Sequence, residues 1–112
     1  LPVTLNERLR ERFFGAFEGT SNANYQTVWD RDREDPGQTE DGVESVMSVL
    51  GRTSSLVAEL ELEHVGKTIV FVAHGDPLQI MQTGFLSVNP AEHRGLPPLT
   101  TAELRELRPI AQ

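Results

Sequence analysis

His74 stands directly after the apolar run in "IVFVAHGDPLQI", residues 69–80, and directly before residues that read as a helix start. A titratable ring at such a junction invites chemistry. The first N–H groups of a helix favour anions, and an imidazolium adds a charge-assisted donor, so phosphate is a natural guest there. Asp76 argues mildly against it, because a carboxylate cap competes for the same donors. The plainer reading is a ring that merely satisfies its nitrogens at a strand end, and position alone leaves both open.

Upstream, "NERLRERFFGAFEG", residues 6–19, carries Glu11 and Arg12. On residue types alone this run reads as a solvated segment with intrahelical charge pairs. The three histidines, His64, His74 and His93, with Glu63 and Glu92 beside them, raise a metal hydrolase as an alternative. They lie ten and nineteen residues apart, without the i, i+4 spacing that lets one helix present two ligands. The reading adopted carries no metal and no cofactor.

Residues 3–9 read as a short extended piece, and Gly15 and Gly19 imply irregular, closely packed backbone after it. In "TSNANYQTVWDRD", residues 20–32, Thr20 or Ser21 can cap a short helix with Tyr25, Val28 and Trp29 on one face. Residues 31–42, "RDREDPGQTEDG", read as a mobile, solvated charged loop. Asp41 and Glu44 have capping-box spacing, and the apolar recurrence from Val43 to Leu60 predicts a long helix ending near Glu63. "TIVFV", residues 68–72, is apolar at successive positions, as in a strand buried on both faces of a parallel sheet. Asp76 as cap and Pro77 in the first turn predict a helix over residues 76–86. Gly95, Pro97 and Pro98 make a loop, and "TAELREL", residues 101–107, reads as a final strand or a short helix. Ligands of open α/β sheets sit beyond the carboxyl ends of strands, which is where His74 falls.

The chain has 112 residues, enough for one domain. Seventeen acidic residues against ten Lys and Arg give a net charge of −7, which disfavours nucleic acid and anionic lipid as partners. No cysteine is present, which excludes disulfides and is compatible with a reducing cytoplasmic setting. The apolar runs are too short to span a bilayer, and the expectation is a soluble cytoplasmic protein. The opening "LPVTLNERL" has no initiator Met and looks like the middle of something.

Three stretches carry a resemblance. "VFVAHGDPLQIM" resembles the second histidine motif of the histidine phosphatase superfamily, also called phosphoglycerate mutase-like. "LRERFFGAFEG" is similar to that family's Leu-x-Glu-Arg, aromatic, Gly element. "DGVESVMSVLGRTSSLVAEL" resembles the long helix between them, with Glu44, Ser45 and Arg52 in recognisable places. Order and spacing agree over roughly residues 5–107.

The resemblance implies an α/β fold, a three-layer sandwich with a mostly parallel sheet, as one partial domain over residues 1–112. It implies His74 as a donor to phosphoryl oxygens, Glu11 as general acid and base, and Arg12, Gly75 and Asn22 at the substrate. His74 and Glu11 would then lie within about 10 Å of each other, facing one cleft. The family's nucleophilic Arg-His-Gly motif and a later arginine are absent from this sequence; "EHRG", residues 92–95, reverses the pattern. The family's first strand is thus missing, and this chain alone is expected to be inactive. Without that strand "TIVFV" would present unpaired N–H and C=O groups, to be completed by an N-terminal segment, a separate fragment or a homo-oligomer. Phosphoglycerate mutases carry Tyr and Lys where this chain has Phe14 and Asn22, which favours a phosphatase acting on a small phosphorylated metabolite. The alternatives are a mutase, or a non-catalytic relative that binds phosphate or a partner.

Overall fold

Three α-helices carry the architecture of the computed structural model, which describes residues 3–100 and 103–108. Helix α1 spans Asn22–Glu34, α2 Val46–Glu63 and α3 Gly75–Leu86, with 3-10 turns at Glu7–Leu9, Gly15–Phe17, Glu40–Gly42 and Pro90–Gly95. Each α-helix starts where a residue with extended backbone precedes a helical apolar period. Ser21 accepts from the Ala23 N–H, and Ser45 accepts from the Ser48 N–H at 3.0 Å. His74 occupies the cap position of α3 with φ −97° and ψ 164° and makes no side-chain cap bond.

α2 and α3 pack through Val46, Val49 and Ile80, with Leu50 against them, and Phe14, Val28 and Val43 form a second cluster with Phe17 and Tyr25. Gly15 joins that second cluster to the turn at Glu40–Gly42. Its φ is +57°, and a Cβ there would fall on the backbone of Asp41, Gly42 and Val43, 2.7 Å from the Val43 nitrogen.

The structure corrects several expectations. Residues 31–42 are not all loop: α1 continues to Glu34, and Asp32 is fully buried. The reason is that Asp32 continues the inward face of Val28 and finds a buried partner there. Asp41 and Glu44 form no capping box, because Ser45 takes the cap and Glu44 turns to Arg52. Asp76 does not cap α3 either; it lies one turn position inside, turned into the core. Around residues 3–9 the extended piece is replaced by the turn Glu7–Leu9, capped by Asn6.

The expected sheet is not formed: no strand occurs among the described residues. Residues 67–74 have no regular structure, and among the described residues no backbone hydrogen bond is donated by residues 68–73. Ladder bonds need a neighbouring strand, and among the described residues none lies beside this segment. Its exposure alternates instead, with Ile69 and Phe71 half-buried and Val70 and Val72 68% and 82% exposed. Residues 103–108 are irregular as well, and the start of the expected final element, residues 101–102, lies outside the described residues. No helix among the described residues is long and apolar enough to cross a membrane.

Candidate active site

Glu11 sits between the turns Glu7–Leu9 and Gly15–Phe17, in a segment held against α2. Arg52 of α2 donates to the Arg8 carbonyl at 2.7 Å, the Arg10 carbonyl at 2.9 Å and the Glu11 carbonyl at 3.4 Å. The same guanidinium contacts both Glu44 oxygens, at 3.0 and 3.1 Å. Glu44 in turn donates its backbone N–H to the Phe13 carbonyl at 2.8 Å. Burial pushes the Glu44 carboxyl up, but the hydrogen bonds from Arg52 and Phe13 outweigh it and hold the group below the usual carboxylate range.

His74 reaches the same place from the start of α3. Its Nδ1 lies 3.5 Å from Glu11 Oε2, and the two side chains are about half exposed, at 59% and 45%. The other Glu11 oxygen accepts from the Arg12 N–H at 2.8 Å. A carboxyl and an imidazole so placed, both reachable from solvent, can share a proton with a bound group and can donate to an anion.

Behind this pair lies a buried charge cluster that the residue types did not announce. Arg12, expected to face the substrate, is fully buried. Its Nη1 and Nη2 meet Asp32 at 2.7 and 2.8 Å, its Nε donates to the Glu44 carbonyl at 2.8 Å, and Nη1 also reaches Asp76 Oδ2 at 3.2 Å. The correction follows from this: two carboxylates already take its charge, so no donor is left pointing outward. Burial lowers the tendency of Arg12 to hold its proton, yet Asp32 and Asp76 reverse the sign and raise it.

Asp76 Oδ1 accepts from His93 Nε2 at 3.1 Å and from Arg94 Nη1 at 3.3 Å. Burial pushes the Asp76 carboxyl up, but His93 and Arg12 together bring it below the usual carboxylate range. His93 is fully buried, with Nδ1 3.2 Å from the Pro90 carbonyl. Arg94 lies 3.7 Å over the Trp29 ring and donates to Gln79 at 2.6 Å. Asp32, Asp76, His93 and Arg94 were therefore missed as a unit. A signal existed: Asp32 follows Tyr25, Val28 and Trp29 at helical spacing, and Asp76 leads Gln79, Ile80 and Thr83 in the same way.

The remaining candidates are more dispersed. Gly75 is the first residue of α3, exposed, with open space where a Cβ would be. Asn22 is the exposed first residue of α1 and makes no hydrogen bond to Glu11 or His74 among the described residues. Phe14 stacks on Tyr25 with ring centres 4.5 Å apart. His64 is half exposed and faces Glu63 at 3.9 Å. The three histidines thus occupy separate places, and among the described residues no group of three His, Asp or Glu side chains could hold a metal ion.

The family model of the histidine phosphatase superfamily (branch 1) matches residues 1–111. Among solved structures, mycobacterial glucosyl-3-phosphoglycerate phosphatase in complex with inorganic phosphate superposes with a TM-score of 0.74 at 28% identity, over 91% of this chain and 55% of that one. The same enzyme with VO3 gives 0.74 at 27% identity, over 91% and 55%. Bacillus stearothermophilus YhfR gives 0.65 at 23% identity, over 84% of this chain and 49% of that one, a likeness of fold alone. The chain spans about half the length of these structures. No curated protein matches.

Proposed function

The chain belongs to the histidine phosphatase superfamily, and on that basis we propose that it supplies the Glu11 and His74 half of a site that hydrolyses a small phosphorylated metabolite. The observation that carries this is the 3.5 Å approach of two half-exposed groups, one of them at the first turn of α3. His74 and the N–H groups that open α3, beginning at Gly75, take the phosphoryl oxygens. Glu11 protonates the leaving oxygen as the P–O bond breaks and then takes a proton from the attacking water. The phosphohistidine is assigned to a histidine other than His64, His74 and His93, because the resemblance puts the nucleophile in an Arg-His-Gly motif that this sequence lacks, and His93 is buried with both ring nitrogens facing oxygens. In the complete protein a neighbouring strand beside residues 68–72 would build the sheet of the fold. Inorganic phosphate and VO3 on the mycobacterial relative support a phosphate-sized guest. Phe14, packed on Tyr25, and Asn22 stand where mutases carry polar groups, which favours phosphatase over mutase.

The test is direct. Phosphate titration followed by NMR should move the His74 ring resonances and leave those of His64 and His93 in place, and His74→Ala should abolish binding. Aryl phosphate hydrolysis by this chain at its confirmed mass should be absent. Binding that survives His74→Ala, or turnover that disappears with it, would each overturn part of the assignment: the first the ligand role, the second the need for an outside nucleophile.

A further inference from the structure

We propose that Arg12 and Asp76 act as a buried clamp that fixes the spacing of Glu11 and His74, as positioning residues and not as substrate ligands. The inference rests on the reading above, because it concerns that same pair. Arg12 directly follows Glu11, and Asp76 lies two residues after His74, so each clamp member is tied to one site residue by a very short stretch of backbone. The contact between them, Nη1 to Oδ2 at 3.2 Å, joins positions 64 residues apart in sequence.

Neither partner can drift to a second position. The Arg12 guanidinium is gripped on three sides, by both Asp32 oxygens and by the Glu44 carbonyl. A planar, forked donor held this way has its orientation fixed as well as its place. Asp76 is held from the opposite direction by His93 and Arg94, which reach its other oxygen. Apolar packing between the two segments would resist separation but would allow sliding; a directional ion pair resists both. The benefit falls on the site, where an error of about 1 Å in the placement of reacting groups is costly.

The absence of cysteine makes the geometry measurable. Glu11→Cys with His74→Cys introduces the only two thiols, and their cross-linking by dibromobimane reports how often the two positions meet. With the clamp intact the reaction should be fast. Adding Asp76→Asn should slow it about tenfold, as the effective concentration of one thiol at the other falls, at temperatures where circular dichroism shows the variant folded. Where Asp76→Asn does not fold, Arg12→Lys takes its place, since one ammonium cannot hold the fork of contacts, and the same slowing is expected. An unchanged rate in a folded variant overturns the clamp. Phosphate titration of the chain with Glu11 and His74 in place keeps the two ideas apart: no response of the His74 ring overturns the site assignment whatever the cross-linking rates.

Discussion

Asp32 holds Arg12 through two parallel contacts, at 2.7 and 2.8 Å, with neither side chain exposed to solvent. Removing Asp32 leaves the buried guanidinium with Asp76 alone, a carboxylate already shared with His93 and Arg94, and this costs more than the pair itself contributes. Asp32→Ala should therefore lower unfolding free energy by about 3–5 kcal/mol. Urea denaturation at neutral pH measures it, and a loss below about 1 kcal/mol would mean that water reaches the guanidinium.

Asp76 gives the fold an acid-sensitive element. Its carboxyl titrates below the ordinary value of 3.8 in the folded chain, so in that range the unfolded chain binds more protons. Stability from this group is complete above the ordinary value and is lost as pH falls through the folded one. Melting temperatures between neutral pH and pH ~3 should decline at the acid end. Asp76→Asn should lower the plateau and flatten that decline; an equally steep acid limb in the variant would assign the effect to other carboxylates.

Gly15 is conformationally required. A side chain there must adopt a left-handed backbone and collide with the turn at Glu40–Gly42. Gly15→Ala should cost at least about 2 kcal/mol, from strain of about 1–3 kcal/mol plus displacement of backbone. Gly19, whose φ is +72° with nothing near its missing Cβ, should lose less on the same change. Equal losses at the two positions would remove the collision as the cause.

Arg52 holds three carbonyls of the segment that carries Glu11. Arg52→Lys keeps the charge and loses the fork, and amide exchange of residues 8–13 should accelerate by about tenfold or more while α3 is unaffected. Uniform acceleration across the chain would indicate global destabilisation in its place.

Helices α2 and α3 are legible because their apolar residues recur at helical spacing and Pro77 fits an early turn, although the caps read for them, Asp41 with Glu44 and Asp76, give way to Ser45 and His74. The inward carboxylates are not legible. Asp32 and Asp76 fall on the apolar faces of their helices, yet a carboxylate is read by default as solvated, and only the three-dimensional approach of Arg12 and His93 reverses that. The segment 68–72 forms no strand among the described residues, for a different reason. Its composition records a two-sided apolar setting, whereas pairing depends on a neighbour, and composition carries no information about whether one is present. His74 and Glu11 are singled out by motif resemblance, since each alone is ambiguous; their 3.5 Å approach belongs to the fold.

The half-exposed Glu11 and His74 and the fully sheltered Arg12 and Asp32 divide two demands among different side chains. On the proposed assignment a change at the outer pair removes phosphate contact or proton transfer while costing the interior little, so lineages descended from such a chain can lose turnover without losing the fold. Change at the inner residues is closed to them, because the first step removes a partner that the second has not yet replaced. Divergence in this corner of the molecule should run outward from an ion pair that itself stays the same.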